Sequence, residues 1–310
     1  DIPLTSVYAG VVSLRGLRMV LFLSELNGIP AWQTDVGNAY LEAKTTEKVC
    51  IRAGPEFGKE KEGHLLIIYK ALYGLKSSGL AFKLVLDKAL RSLGFKPSLC
   101  EPEIYMRKNH KLQLWEYVAT YVDDLACVIE DVKKFLDALQ SKPIGFKLKG
   151  SQLIEYHLGC GFTRDKYGVL CQDPQKYIEK LREDFIRWFG KAPSTKIKSP
   201  LEKGDHPELD TSEFLETEDI EKYQSMIGSL QWLISIGRWD MLTHVMTMSS
   251  FRSAPRSGHL KRVMRIYEYA CNFKHFKLRY RTEEPDLSSF DNKDAKDWTH
   301  TPYGKQYEEL

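Results

Sequence analysis

Two adjacent carboxylates stand at the centre of residues 117–131, YVATYVDDLACVIED. The β-branched and aromatic residues on both sides of Asp123 and Asp124 predict two short strands that meet at the acidic pair. Aspartate is common in turns, because its side chain can hydrogen-bond the neighbouring backbone. Paired carboxylates also repel each other unless a cation lies between them. From these residues alone, the pair is consistent with either a plain turn or a cation site.

A metal site needs a third acid, and the strongest candidate is Asp35 in QTDVGNAYLEA, which also ends a strand-like run. If that strand packs beside the 117–131 hairpin, three carboxylates converge at one end of a sheet. Such oxygen ligands suit Mg²⁺, which retains positions for water and substrate phosphates. Two ions about 4 Å apart would support phosphoryl transfer. Taken alone, Asp35 is better explained as an acid favoured at a helix N-terminus.

The composition is that of an ordinary globular chain, long enough at 310 residues for two domains. Its 43% hydrophobic and 28% charged residues argue against disorder and against a membrane protein. The apolar stretch 8–26 is interrupted by Arg15, Arg18 and Glu25, so a membrane span is not expected. A cleaved signal is not expected either, because no cleavage-site pattern follows the apolar part. The six cysteines form no C-x-x-C pair, which argues against structural zinc and fits a reducing compartment.

Charge is unevenly distributed although the formal net charge is only +3. The segment 251–281 carries nine Lys and Arg residues against Glu268. A local basic block indicates a polyanionic partner, and a solvated helix face is an equally good explanation. The following stretch, 282–310, has eight acids against three lysines and is predicted to be an acidic linker.

The pattern of apolar residues predicts a mixed chain. Ser6 is expected to cap a helix that stops at Asn27-Gly28, and HLLIIYKALYG at 64–74 is predicted to be a buried strand. A polar connector is expected at 192–219. The fold class is therefore α+β, with helices on one face of an antiparallel sheet and a mainly helical region after it. The other helices are predicted at 80–95, 132–140, 176–190, 223–237 and 258–273.

Several blocks together resemble the reverse transcriptases of copia-type LTR retrotransposons, over roughly residues 3–285, and ALYGLKSSG is characteristic of that group. The segment that begins YQSMIGSLQWLISIG at Tyr223 resembles the connection between polymerase and RNase H in those polyproteins. The blocks, in the family's order, are QTDVGNAYLEA, YKALYGLKSSG, YVATYVDDLACVI, FKLKG and YHLGCGF.

The resemblance implies a domain plan. A polymerase palm, with an antiparallel sheet backed by helices and a remnant of the fingers, is expected over 1–165. A thumb-like segment and connector would occupy 166–219, and a helical connection segment 220–281. The acidic linker 282–310 would lead toward an RNase H domain. The rest of the fingers would precede Asp1.

The resemblance also implies a catalytic centre. Asp35 and Asp123 would be the catalytic metal ligands together with the backbone carbonyl of Val36, and Asp124 would be a less direct ligand. The metal would be Mg²⁺, with Mn²⁺ as an alternative. Tyr40 matches the aromatic residue that packs under the incoming sugar and excludes a 2′-hydroxyl, although a core tyrosine is the alternative.

Further contacts are implied for the substrates. Gly74 and Lys76 lie in the loop 72–79, which would contact the nascent base pair and template. Either Lys147 or Lys149 would serve the triphosphate, and the sequence leaves the choice open. His157 lies in the hairpin that grips the primer end, where a structural histidine is the better explanation. The backbone-tracking residues would be Arg252, Arg256, Lys261, Arg262 and Arg265.

The implied function is RNA-directed DNA polymerase, with two-metal transfer of a nucleotide from dNTP to a primer 3′-hydroxyl. Its partners would be an RNA template, a DNA primer, dNTPs and other parts of a Pol polyprotein (fingers, RNase H and integrase), with no membrane. The expected location is a cytoplasmic virus-like particle, with possible nuclear access. Leu80, Ala81 and Phe82 stand where relatives carry basic residues and a tryptophan, which favours an alternative: a catalytically inactive or repurposed nucleic-acid-binding or assembly subunit. A nucleotide cyclase is disfavoured, because it has no template to hold.

Overall fold

Twelve strands are present in this computed structural model, which describes residues 7–45 and 47–284. Most are short, and all the paired strands run antiparallel. In chain order they are β1 (Ala31–Val36), β2 (Cys50–Arg52), β3 (Leu65–Ile67), β4 (Lys96–Pro97), β5 (Ile104–Asn109), β6 (Leu114–Tyr121), β7 (Asp124–Val128), β8 (Leu148–Leu153), β9 (Tyr156–His157), β10 (Cys160–Arg164), β11 (Leu170–Asp173) and β12 (Leu278–Arg279).

Eight α-helices accompany these strands in the described part of the chain, together with three short 3₁₀ turns. The helices are α1 (Leu14–Asn27), α2 (Ala39–Glu42), α3 (Ser78–Ser92), α4 (Val132–Gln140), α5 (Gln175–Phe189), α6 (Thr217–Ser235), α7 (Leu242–Ser249) and α8 (Ser257–Asn272). None of the described helices is both long enough and apolar enough to cross a membrane. The mixture of helix and antiparallel sheet confirms the α+β class.

The larger sheet has six strands in the order β4-β5-β6-β7-β1-β8. Helices cover both of its faces, so the prediction of helices on one face is wrong. α1 packs on one side, where Leu17 and Leu21 share a core with Ala126 and Val128. α3 and α4 pack on the other side, against Leu125 and its neighbours. The sequence of β7 gives the reason. Its residues from Leu125 to Val128 are all buried, without the alternation of a strand that is covered on one face only.

Helix boundaries follow local capping chemistry. α1 begins at Leu14, because the Ser13 hydroxyl accepts a hydrogen bond from the Gly16 amide. Ser6, the cap expected from the sequence, lies outside the described residues, and residues 7–13 are not helical. The predicted stop is confirmed, since Gly28 adopts φ 65° and closes the helix.

The strand predicted as buried at 64–74 is instead part of an exposed two-stranded ribbon, β2-β3. The strand in this run is Leu65–Ile67, and Leu65 and Ile67 are 65% and 84% exposed. The prediction was wrong because an apolar run does not reveal whether another element covers it. Within the described residues, β3 pairs with β2 alone.

The second sheet has the strand order β12-β11-β10-β9. Its buried residues Cys160, Phe162 and Leu170 belong to the core that α1 shares with the later helices. Phe185 of α5, Tyr223 of α6 and Tyr267 of α8 are fully buried in the same core as α1. The Tyr223 hydroxyl donates to the Met248 carbonyl at 2.6 Å, which satisfies its polar end inside that core. Residues through Tyr280 form one unit, and the predicted acidic linker lies outside the described residues beyond Glu284.

Candidate active site

Two of the predicted catalytic acids face each other across neighbouring strands. Asp35 of β1 is the direct antiparallel partner of Asp124 of β7. Directly opposed residues project from the same face of a sheet, with Cβ atoms about 5 Å apart. Asp123 lies in the turn between β6 and β7, and its carbonyl accepts a hydrogen bond from the Val36 amide at 2.9 Å. The end of β1 is thus tied to the hairpin tip, and all three acids meet at one strand end.

The hairpin turn has only two residues, because Tyr121 pairs directly with Asp124. Its first residue, Val122, has φ 56°, a left-handed conformation that is unfavourable for a β-branched side chain. Strain of this kind costs about 1–3 kcal/mol and is concentrated at functional sites. Sequence reasoning missed Val122, although a tight turn at YVDD could have indicated it.

The three carboxylates influence one another electrostatically. Burial, and then the charges of Asp123 and Asp35, raise the pKa of Asp124 to about 6. Burial and the charge of Asp123 also raise the pKa of Asp35, while Lys149 acts in the opposite direction. A cluster of this kind needs compensating positive charge when it is ionised.

The donor chemistry fits a hard divalent cation, because carboxylate and carbonyl oxygens are the ligands of Mg²⁺. Among residues 7–45 and 47–284, however, no three His, Cys, Asp or Glu side chains are already arranged as a metal-binding group. The geometry therefore supports a shared acidic site without a preformed cage. The involvement of Val36 as a ligand stays a prediction.

Tyr40 lies beside this acidic site on the short helix α2. Its ring packs 4.6 Å from that of Tyr73, and burial and the charge of Asp123 raise its pKa. It also lines a cavity of about 300 Å³ together with Val122, Lys76 and Gly79. The structure thus brings together the predicted sugar-contacting residue and the predicted template loop.

The loop that carries Gly74 and Lys76 is held by its own polar groups. The Ser78 hydroxyl donates to the Leu72 carbonyl at 2.6 Å, and the Ser77 amide donates to Glu47 at 2.9 Å. Gly74 has φ +95° with open space where a Cβ would project. The loop therefore presents bare backbone next to Tyr73, as close approach of a ligand requires.

The two candidate lysines differ in position. Lys149 of β8 is the pairing partner of Asp35, and its aliphatic chain lies against Gly37, where an added Cβ would be 2.8 Å from Lys149 Cε. Lys147 contributes its carbonyl, which accepts from the Gly37 amide at 2.7 Å. The positive charge of Lys149 acts to lower the pKa of Asp35. The structure thereby distinguishes two residues that the sequence left equivalent.

His157 of β9 is buried next to a two-residue turn, Leu158-Gly159. Burial lowers its pKa to about 4, and its Nε2 atom has no hydrogen-bond partner in the described structure. A neutral, enclosed ring favours the structural explanation, and a contact between His157 and phosphate stays a prediction.

Sequence reasoning also missed Lys176. It extends from the start of α5 toward the same hairpin, where its Nζ lies 4.6 Å from the ring centroid of Tyr156. Tyr156 is the residue before His157 in β9. An exposed lysine therefore adjoins the hairpin that the resemblance assigns to the primer end.

Much of the basic block neutralises acids of the chain itself. Arg262 binds Asp205 at 2.7 Å and Asp210 at 2.5 Å. Arg265 binds Glu202 at 3.0 Å. These pairs attach the predicted 192–219 connector to α8, and hydrogen bonding from Arg262 lowers the pKa of Asp205. Arg262 and Arg265 of the basic block are therefore engaged in intramolecular ion pairs.

The other three predicted basic residues differ in whether they are already bonded within the chain. Arg256 donates to the Ser212 carbonyl and lies 3.8 Å from the Phe214 ring centroid, so it too fastens the connector. Arg252 is exposed, and Lys261 is exposed beside Arg262. Neither pairs with an acid in the described part of the chain. These two remain available to a polyanion.

Phe82 lies in the segment where relatives carry basic residues and a tryptophan, and its position in the structure explains the difference. Phe82 is fully buried in the core beneath α3, 6.3 Å from the ring centroid of Phe146. The ring fills this core and is not a surface group. Leu80, in the same segment, is partly exposed, and the structure does not explain the apolar residue at this position.

Comparison with known proteins identifies the class. A family model described as "Reverse transcriptase (RNA-dependent DNA polymerase)" matches residues 1–191. The chain therefore belongs to the reverse transcriptase family.

The relatives place it more narrowly, among the copia-type retrotransposon polyproteins that the sequence blocks indicated. The Pol polyprotein of transposon RE1 from Arabidopsis thaliana is 26% identical over 84% of the chain. A transposon Ty5-1 protein from Saccharomyces cerevisiae is 27% identical over 80% of the chain and 78% of its own length. The TNT 1-94 polyprotein of Nicotiana tabacum is 23% identical over 94% of the chain. The chain spans only 17% of RE1 and 22% of TNT 1-94.

Proposed function

We propose that this chain carries the polymerase site of a copia-type retrotransposon, and that it extends a DNA primer on an RNA template. A primer 3′-hydroxyl would attack the α-phosphate of a dNTP and release pyrophosphate. The observation that carries the proposal is the direct pairing of Asp35 with Asp124, with Asp123 in the adjoining turn.

Asp35, Asp123 and the Val36 carbonyl would hold Mg²⁺ or Mn²⁺, with Asp124 completing the cluster. When bound, such ions stabilise charge on the attacking and leaving oxygens. The chain itself supplies the alignment. The Val36 amide bound to the Asp123 carbonyl fixes the two carboxylate-bearing segments relative to each other.

Substrate selection would rest on Tyr40 and the loop beside it. The Tyr40 ring packs against the Tyr73 ring, with centroids 4.6 Å apart. It would lie under the 2′ carbon and exclude a hydroxyl there. Gly74 would let the nascent base pair approach the backbone, and Lys76 would contact a phosphate.

Lys149 is the stronger candidate for the leaving group. Its pairing with Asp35 directs its ammonium group toward the acidic cluster, where the triphosphate would bind. There it would stabilise the developing charge on pyrophosphate or donate a proton to it. Lys147 would serve through its carbonyl, by holding Gly37.

The duplex would be held by phosphate contacts that carry no sequence preference, as a polymerase requires. Lys176, which lies beside Tyr156, is an exposed cation that adjoins the predicted primer hairpin, and Lys180 is a further exposed cation one turn along α5. Of the five basic residues predicted to follow the backbone, Arg252 and Lys261 are the two that remain available. Arg256, Arg262 and Arg265 would act indirectly, by holding the connector in place.

A primer-extension assay on poly-rA/oligo-dT with Mg²⁺ tests the proposal, using the chain and its Asp123→Asn variant. We expect extension by the parent chain and none by the variant, with template–primer affinity measured in parallel and retained in both. Extension that persists unchanged in the variant would contradict the proposed role of Asp123.

The second candidate, a non-catalytic nucleic-acid-binding subunit, is favoured by Leu80, which stands where relatives carry a basic residue. It predicts template–primer binding by both proteins and extension by neither. Restoring the cation by Leu80→Arg distinguishes the two cases. A gain of extension would show an attenuated polymerase, whereas continued inactivity with intact binding would support the subunit.

A further inference from the structure

Two short segments of chain lie side by side next to the acidic site and form what we call the lysine–tyrosine ribbon. Residues 40–44 and 69–73 run antiparallel, and Lys44 lies directly opposite Lys70. A backbone hydrogen bond of 3.1 Å lies on either side of this pair. The Lys70 ammonium also donates to a backbone carbonyl of the first segment at 2.6 Å. The two segments are therefore bonded together as one surface.

Each end of the lysine–tyrosine ribbon has a tyrosine contact that joins its two segments. At the end beside the acidic site, the Tyr40 and Tyr73 rings pack with centroids 4.6 Å apart. At the other end, Lys44 Nζ lies 5.1 Å from the ring centroid of Tyr69. Because four residues of chain separate Tyr69 from Tyr73, their Cα atoms are at most about 14 Å apart. This span equals a few stacked nucleotides, each of which rises about 3.4 Å along its strand.

The ribbon presents open ring faces and unpaired positive charge. Tyr69 and Tyr73 are 61% and 66% exposed. Lys44 and Lys70 are exposed too, and among the described residues neither forms an ion pair with an acid. Residues 40–48 and 69–76 together carry four lysines against two glutamates. The surface is therefore cationic and carries aromatic rings that no base or side chain yet covers on their exposed sides.

Lysines that alternate with exposed ring faces are the contacts that single-stranded nucleic acid uses. The ammonium groups neutralise phosphates, and an unpaired base of any identity stacks on an aromatic ring. A duplex offers no free base face along its length, because its bases are stacked on one another. A protein partner is disfavoured, since lysine is depleted in protein interfaces relative to the rest of the surface.

We propose that the lysine–tyrosine ribbon binds the unpaired template strand ahead of the nascent base pair. A template base would stack on the Tyr69 ring, with phosphates beside Lys44 and Lys70. The proposal rests on the proposed polymerase function, because the primer ends at the acidic site and only the template continues past it unpaired. The contact between Tyr40 and Tyr73 makes the ribbon continuous with that site.

Fluorescence anisotropy tests the proposal with two template–primer duplexes, one blunt and one with a single-stranded 5′ overhang of template. The overhang should raise the affinity of the parent chain. Tyr69→Ala should lower the affinity for the overhanging duplex by about tenfold, as expected for the loss of one base–aromatic stack. Its affinity for the blunt duplex should be unchanged. Tyr69→Phe keeps the ring face and should bind both duplexes like the parent chain.

Tyr167→Ala is the matched control. Tyr167, in the turn between β10 and β11, is 70% exposed and also has a lysine over its ring, with Lys166 Nζ at 4.9 Å. We expect this variant to bind both duplexes like the parent chain. Three results would each overturn the proposal: no gain of affinity from the overhang, an equal loss on both duplexes in Tyr69→Ala, or the same loss in Tyr167→Ala.

Lys44→Ala tests the phosphate contact separately. Removing one contact to a single strand should make the dependence of log affinity on log salt shallower by about 0.7 for the overhanging duplex. The salt dependence for the blunt duplex should not change. An unaltered slope on the overhanging duplex would show that Lys44 does not contact a phosphate.

Binding is measured without dNTP, so failure of this proposal is distinguishable from failure of the polymerase function. If the parent chain extends no primer but Tyr69→Ala still loses affinity for the overhang alone, the polymerase function fails and the single-strand surface stands. If the parent chain extends primers and Tyr69→Ala binds the overhanging duplex normally, the polymerase function stands and the single-strand surface is wrong.

Discussion

Asp35 and Asp124 are direct partners across the β1–β7 pair, so two carboxylates lie side by side on one face of the sheet. Like charges in directly opposed positions destabilise an antiparallel pair. Their placement therefore lowers stability, which fits the role in cation binding that we propose for the acidic cluster. The raised pKa of each of the two groups has the same origin, in burial and neighbouring negative charge.

The first prediction is that Asp124→Asn stabilises the chain. Removing one charge of the opposed pair should raise the free energy of unfolding by about 0.5–1 kcal/mol at neutral pH. Urea denaturation followed by circular dichroism measures it. Asp137→Asn, at an exposed position of α4, is the control and should leave the midpoint unchanged. A destabilised Asp124→Asn variant would argue that the carboxylate is structural.

The second prediction concerns sugar selection. Tyr40→Ala should reduce the preference for dNTP over rNTP, measured as the ratio of kcat/KM values, by at least about tenfold. Tyr40→Phe keeps the ring that packs on Tyr73 and should keep the preference. If both variants discriminate like the parent chain, Tyr40 is simply a packing residue.

The third prediction separates two lysines. Lys149→Ala should lower kcat by about 100-fold, the usual contribution of a well-placed proton donor. Lys147→Ala should have little effect, since Lys147 acts through its backbone carbonyl. Single-turnover incorporation measures both. Equal losses would contradict the assignment based on the Asp35–Lys149 pairing.

The fourth prediction uses two adjacent basic residues of α8. Arg262→Ala should lower the free energy of unfolding by about 2 kcal/mol, because it removes charged hydrogen bonds to Asp205 and Asp210. Lys261→Ala should leave stability unchanged and weaken template–primer binding, with a shallower dependence on salt. If Arg262→Ala weakened template–primer binding without a loss of stability, Arg262 would belong to the nucleic-acid surface and the prediction would be wrong.

The fifth prediction is a pH dependence set by His157. Its pKa is about 4 in the folded chain, below the ordinary value near 6.5, so the unfolded chain binds the proton more readily between these values. The contribution of His157 to stability should therefore be complete above pH 6.5 and fall by about 3 kcal/mol as the pH drops to 4. Asp124, whose pKa is raised to about 6, acts in the opposite direction in this range, so the contribution of His157 is measured as the difference between the parent chain and a His157 variant. His157→Phe should flatten this region of a denaturation profile. An unchanged slope would show that other groups dominate.

The sequence was most informative where a pattern is local. The apolar spacing correctly predicted a helix at 132–140, and the apolar residues that define this spacing form the buried face of α4: Val132, Phe135, Leu136 and Leu139. It was least informative where the outcome depends on distant partners. Nothing near Leu65 shows that the ribbon is exposed, and nothing near Arg262 shows that two acids more than fifty residues away neutralise it.

The candidate site divides in the same way. Residue types at Asp35, Asp123 and Asp124 indicated their chemistry, but only strand register shows that Asp35 opposes Asp124 and that Lys149 lies on the other side of Asp35. The strained turn at Val122 arises from pairing on both sides of it. Such features depend on how strands align, and propensity does not encode that alignment.

The central proposal is that Asp35 and Asp123 hold a divalent cation beside the primer end, with Asp124 completing the acidic cluster. Electron paramagnetic resonance of Mn²⁺, in the presence of template–primer and a non-reactive dNTP analogue, tests it most directly. We expect a bound-ion spectrum for the parent chain and for Asp137→Asn, and its loss in Asp35→Asn and Asp123→Asn. An identical bound spectrum in all four proteins would contradict the account.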